Sequence, residues 1–168
     1  MATRASGLIV LRQRLAAIAV CLLVAGAVAP VRTSPPDDIA VVVHPDVPVD
    51  NLSFADLRRI LLGDREFWSS GVRVTLLIRA PVARERDVAV QNICEMSEAQ
   101  FRQHWIAKVF RNETPSGPKI VYSSEMAIDQ VTRTPGAITF VESSKVTRSM
   151  KVLKIDGMTP GQAGYKVK

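Results

Sequence analysis

The residues best placed to do chemistry lie in the stretch LLIRAPVARERD, residues 76–87. An apolar run that reads as a strand ends in Arg79, and Pro81 then suits the first position of a helix. A helix start offers unpaired N–H donors and a positive partial charge, which together favour an anion. Ala80 is a poor N-cap, so no side chain at that position would compete for those donors. Arg79 at the strand end and Arg84 one turn into the helix could add charge-assisted hydrogen bonds. Glu85 and Asp87 lie in the same turns and oppose that field. On the residues alone, a plain strand-to-helix corner is the simpler account, and an oxyanion site the alternative.

Other chemistry has little to stand on. His44 and His104, the two histidines of the chain, have no partner at metal-ligand spacing and read as structural or merely exposed. There is no nucleophile elbow, no C-x-x-C, no Walker loop and no dinucleotide fingerprint. Acidic residues are scattered through caps and loops, with no pair set for acid and base work. The reading is therefore of a non-enzyme without cofactor or metal. A hydrolase is the weakest alternative.

The elements that would hold the junction follow from patterning. IAVVVH (39–44) is a short β-branched run typical of a buried strand. A helix start follows, with Ser53 as N-cap, Asp56 at N3, and Leu52 and Leu57 at the two positions of a hydrophobic staple. Leu57, Ile60 and Leu61 form its inner stripe, Arg58 and Arg59 its solvated face, and Gly63 its stop. VRVTLLIR (72–79) is the second strand. Val82, Ala89, Ile93 and Met96 recur at helical spacing beyond it, with Val90 and Cys94 beside them. Cys94 on that stripe reads as a small core residue. SEAQ (97–100) is a capping box, and Phe101, Trp105 and Val109 line one face of the helix it opens. IVY (120–122) is a short strand, Ser123 or Ser124 can cap a helix through Val131, and AITFV (137–141) and KVLKI (151–155) are the last strands. DGMTPGQAGYKVK is a turn-rich tail. Helices alternating with apolar strands predict a three-layer α/β/α arrangement.

The first residues differ in kind. Arg4, Arg12 and Arg14 precede an apolar run from Leu15 to Ala29, which is shorter than the ~20 residues of a comfortable membrane span. Residues 1–29 therefore read as a secretory signal, with Ala27-Val28-Ala29 or Ala25-Gly26-Ala27 as the cleavage motif and Cys21 within the discarded segment. Residues 30–38 read as a linker and 39–168 as one domain, so the protein is expected in the periplasm or otherwise exported. It would touch the membrane only through an uncleaved leader. The formal charge of +6 falls to +3 without the three leader arginines. That surplus, without basic runs or aromatics set among them, argues against nucleic acid. One cysteine remains, so no internal disulfide can form.

Several of these segments together resemble a known family. Leu52, Ser53, Leu57, Ile60, Leu61 and Gly63 fit a helix motif of the phosphate ABC-transporter substrate-binding proteins, of the type II periplasmic-binding class. Trp68, Arg79, Trp105 and the Pro135-Gly136-Ala137-Ile138 segment fit later ones. The resemblance covers residues 39–168 and implies a single-lobe, short member. It implies inorganic phosphate or another oxyanion as ligand, held at Arg79 and Arg84 with Ser123 or Ser124, and an envelope or transporter protein as a further partner. Members with a complete site follow the arginine with Ser-Gly-Thr, whereas this chain reads Ala80-Pro81-Val82. The match also begins in the middle of a typical member, so the first lobe is expected to be absent. Thr139 stands where the family has glycine, a change that would fill space beside the strand. One lobe presents only half of a closing shell, so binding is expected to be weak. The alternative is an envelope interaction module that has lost ligand binding.

Overall fold

The computed structural model describes residues 38–168. The expected signal (1–29) and nearly all of the expected linker (30–38) lie outside the described residues. In chain order the elements are β1 (Ile39–Val43), β2 (Asn51–Leu52), α1 (Phe54–Leu61), β3 (Thr75–Arg79) and α2 (Arg84–Asp87), which runs on as a π-helix over Val88–Ile93. They continue with α3 (Glu98–Phe110), β4 (Lys119–Val121), α4 (Ser124–Arg133) and β5 (Ala137–Glu142). A 3-10 turn (Ser143–Lys145), β6 (Lys151–Val152) and β7 (Lys154–Ile155) complete the chain.

The main sheet has the order β4-β3-β5-β1-β6. β3 pairs in parallel with both β4 and β5, and β1 runs antiparallel to β5 and β6. Alternation along the strands sends residues to two faces. Ile39, Val41, Val43, Ile78, Ile138 and Phe140 join one core with Leu57, Ile60, Ile93 and Phe101 from the helices on that side. Ala40, Val42, Leu77, Ala137 and Val141 join a second core with Ala127 and Val131 of α4. The expected three-layer arrangement is the one observed.

Local chemistry explains most element boundaries. The Ser53 hydroxyl accepts from the Asp56 amide at 3.0 Å and opens α1. Ser97 and Gln100 form the reciprocal capping box of α3. Gly63 ends the α1 region with φ +71°, and a Cβ there would lie 2.6 Å from the Trp105 ring. Arg58 is less solvated than expected, because its guanidinium donates to the Cys94 carbonyl at 3.0 Å and pairs with Glu95 at 2.9 Å.

Three expectations need correction. Pro81 does not open a helix: Ala83 is the N-cap and helix begins at Arg84. Ala80 to Ala83 form a turn closed by a 3.4 Å hydrogen bond, with Val82 at φ +73°. Proline suits the second position of a turn as well as a first helical position, and here the turn prevails. Val82 consequently leaves the buried stripe and is 93% exposed, while Ala89, Val90, Ile93 and Cys94 are buried. KVLKI is two short strands, since Lys151–Val152 pairs with β1 and Lys154–Ile155 with β2. The tail is also more than turns. Buried Tyr165 donates its hydroxyl to the Ile39 carbonyl at 2.7 Å, and Val167 accepts from the Ile39 amide at 2.9 Å.

Candidate functional site

The parallel strands β4, β3 and β5 end together, and carboxyl ends of parallel strands are where α/β sheets hold ligands. Register puts Arg79 opposite Val121, so the chain leaving β4 delivers Ser123 and Ser124 beside it. The β3–β5 register matches Leu76 to Ile138; carried on, it sets Arg79 level with Val141, one residue before Glu142. The 3-10 turn after β5 then brings in Lys145.

These residues form one polar cluster. The Arg79 side chain is 16% exposed, and its Nε stands 3.6 Å from Oε1 of Glu85, whose side chain is 5% exposed. That is an ion-pair distance and too long for a hydrogen bond. Nε and Nη1 of Arg79 are both sealed from solvent, and neither makes a hydrogen bond. The buried Ser124 hydroxyl donates to Glu85 Oε1 at 3.0 Å and accepts from Lys145 Nζ at 3.0 Å. Lys145 also lies 3.5 Å from the Glu142 carboxylate.

Of the four expected site residues, Arg79 and Ser124 meet through Glu85. Ser123 instead caps α4, its hydroxyl accepting from the Met126 amide at 3.0 Å. Arg84 is the first residue of α2. The neighbouring Glu125 carboxyl is held below its usual range, chiefly by its own backbone N–H and the Ser123 hydroxyl, with Lys145 and Arg79 adding attraction. The sequence pointed to Glu85 as an opposing charge in the same turns, but not to its burial against Arg79. Lys145 and Glu142 carry no local signal at all, since only the sheet register brings them near Arg79.

A second polar device braces the same corner. Arg86 donates from Nη1 to the Arg79 carbonyl at 2.9 Å and holds Glu98 through two bonds of 2.8 and 2.6 Å. Those bonds, Arg86 foremost, keep the Glu98 carboxyl below its usual range. The main-chain end of β3 is thereby tied to the start of α3.

The histidines serve local structure. His44 Nδ1 accepts from the Asp46 amide at 3.2 Å, and His104 Nε2 lies 2.8 Å from the Leu62 carbonyl. Among the described residues no group of three or more His, Cys, Asp or Glu is placed to hold a metal ion, and no helix is long and apolar enough to cross a membrane. Thr139 is fully buried and its hydroxyl oxygen has no hydrogen-bond partner. It fills space, as expected, at the cost of a stranded polar atom. Beyond Pro81, an open groove of about 870 Å³ is lined by Phe101, Ile106, Val109, Phe110, Ile120 and Tyr122, among others. Phe110 is 89% exposed and Tyr122 75% exposed.

No protein-family model and no curated protein matches the chain. Solved structures do. A Clostridium perfringens structure designated a phosphate ABC transporter substrate-binding protein, with phosphate bound, superposes with a TM-score of 0.59 at 21% identity, over 74% of this chain and 47% of that one. An ABC-type phosphate transport receptor from Vibrio cholerae gives 0.59 at 18% identity, over 74% and 48%. PstS from Borrelia burgdorferi gives 0.62 at 14% identity, over 78% and 54%. At these identities the likeness shows the fold, an α/β lobe matching about half of each of these structures. The chain spans about half the length of each solved neighbour.

Proposed function

We propose that this chain is an exported, non-catalytic binding module related to phosphate uptake, and that it takes phosphate or another oxyanion weakly at Arg79. One observation carries the reading: two buried guanidinium donors, at the carboxyl end of a central strand, make no hydrogen bond. Stranded donors of this kind cost about 1–3 kcal/mol each, and an oxyanion at the Nε edge would supply an acceptor that the Glu85 carboxylate at 3.6 Å does not. The designations of the Clostridium perfringens and Vibrio cholerae structures as phosphate transport proteins agree with that ligand class. The described residues form one lobe, which covers a ligand from one side only, and the buried Glu85 carboxylate already offsets the charge of Arg79, so binding is expected to be weak. Export rests on the leader pattern of residues 1–29 and is tested by the amino-terminal sequence of the protein recovered from the cell envelope. Ligand class is tested by melting curves in phosphate, sulfate and chloride at equal ionic strength. The reading expects phosphate or sulfate to raise Tm above chloride; equal values in all three salts contradict it.

The exposed groove favours one second reading, an envelope interaction module that has lost ligand binding. Contiguous exposed apolar surface of this kind marks interaction sites. That reading expects no phosphate response, together with retention of an envelope protein that a Phe110→Ser variant no longer retains. A phosphate response that depends on Arg79 decides against it.

A further inference from the structure

We propose that Glu85 is a built-in anionic ligand of the Arg79 site, seated where an external oxyanion would bind and setting the affinity for it. The inference rests on the oxyanion reading of Arg79 and adds the residue that limits it. A carboxylate is expensive to bury unless charges and donors surround it. The side chain of Glu85 is 5% exposed, with Arg79 Nε 3.6 Å from its Oε1 and the Ser124 hydroxyl 3.0 Å away. Lys145 fixes the direction of that hydroxyl: by donating to Ser124 Oγ at 3.0 Å it occupies an oxygen lone pair and leaves the Ser124 proton for Glu85. A guanidinium and an oriented hydroxyl thus meet at one carboxylate oxygen, with the Lys145 ammonium behind the hydroxyl.

The fit is incomplete in an informative way. Glu85 is close enough to neutralise Arg79 yet leaves Nε and Nη1 without a hydrogen bond. A guanidinium offers a fork of donors suited to two acceptor oxygens at once. Nε and Nη1 lie on different edges of the guanidinium, and an oxyanion in place of the Glu85 carboxylate can present one oxygen to Nε and another to Ser124. Glu85 nevertheless holds the position, because a tethered group acts at a high effective concentration. Its charge also repels an arriving anion, and Glu142, 3.5 Å from Lys145, and Glu125 add to that repulsion. The acidic residue that weakens the junction in the sequence is, on this account, the occupant of the site.

The experiment is calorimetric titration of inorganic phosphate into the full-length protein, Glu85→Ala, Glu85→Gln and Glu85→Ala/Arg79→Ala, with melting curves alongside. Glu85→Ala should tighten phosphate binding about tenfold or more, the worth of one hydrogen bond to a charged group. Its Tm should be low in chloride and recover in phosphate. Glu85→Gln keeps the shape and an acceptor for Ser124, so it decides the matter if Glu85→Ala does not fold; it should bind more tightly than wild type through loss of repulsion. The double variant should lose the gain. Folded Glu85 variants that bind phosphate no better than wild type overturn the inference, whatever wild type does, and so does a gain that survives without Arg79. Failure of the underlying reading shows separately, as a wild-type phosphate response that is absent or indifferent to Arg79→Ala.

Discussion

The indole N–H of Trp68 donates to the carbonyl of Gly136 over 2.9 Å across the buried corner between β3 and β5. The same carbonyl accepts from the Thr75 amide at 3.0 Å. Gly136 has φ +73°, and a Cβ there would lie 2.3 Å from the Arg73 carbonyl oxygen. Gly71 has a similar φ of +79° with nothing within 4 Å of its would-be Cβ. Gly71→Ala should therefore cost about 1 kcal/mol for conformation alone, and Gly136→Ala about 2 kcal/mol more for the clash. Urea unfolding of the two variants checks this, and equal losses would show that the corner yields.

Val82 is a β-branched residue at φ +73° and is almost fully exposed. The strain of that conformation outweighs the extra unfolded-state freedom of glycine. Val82→Gly should stabilise the protein by about 1 kcal/mol. A loss of stability in urea unfolding would mean that Val82 makes contacts in the fold that its exposure does not reveal.

Cys94 is fully buried, and burial pushes its thiol up to about 12. The thiolate is the reactive form. A thiol reagent at pH 8 should leave the native protein unmodified and react promptly in guanidinium chloride; rapid native reaction would place Cys94 in a site rather than the core.

Arg86 holds the Glu98 carboxyl below its usual 4.5. A carboxyl depressed in the folded state adds stability above its unfolded value and loses it as pH falls through the folded one. Arg86→Met, which also strips the Arg79 carbonyl of a donor, should cost about 2 kcal/mol at neutral pH. The difference in Tm from wild type should narrow as pH drops below 4.5. A difference independent of pH would assign the loss to packing against Phe101, whose ring lies 5.7 Å from the guanidinium carbon.

Where interactions are local, the sequence was a good guide. Ser53, Ser97 and Gly63 mark helix ends because caps and stops involve residues three or four apart. The five-residue apolar, largely β-branched run of β1 is legible as a strand buried on both faces. Pro81 misled because one fixed φ suits both a turn and a helix start. The candidate site was half legible. Arg79 stands out at a strand end, but Lys145 and Glu142 reach it only through the β3–β5 pairing, some sixty residues apart in the chain. Burial of Glu85 was equally out of reach, since a carboxylate next to arginines in a sequence reads as surface charge.

The most direct test of the central claim is calorimetric titration of phosphate into the full-length protein and its Arg79→Ala variant under identical salt. The account predicts weak binding by wild type, about millimolar, that the variant loses. An affinity unchanged by Arg79→Ala would contradict it.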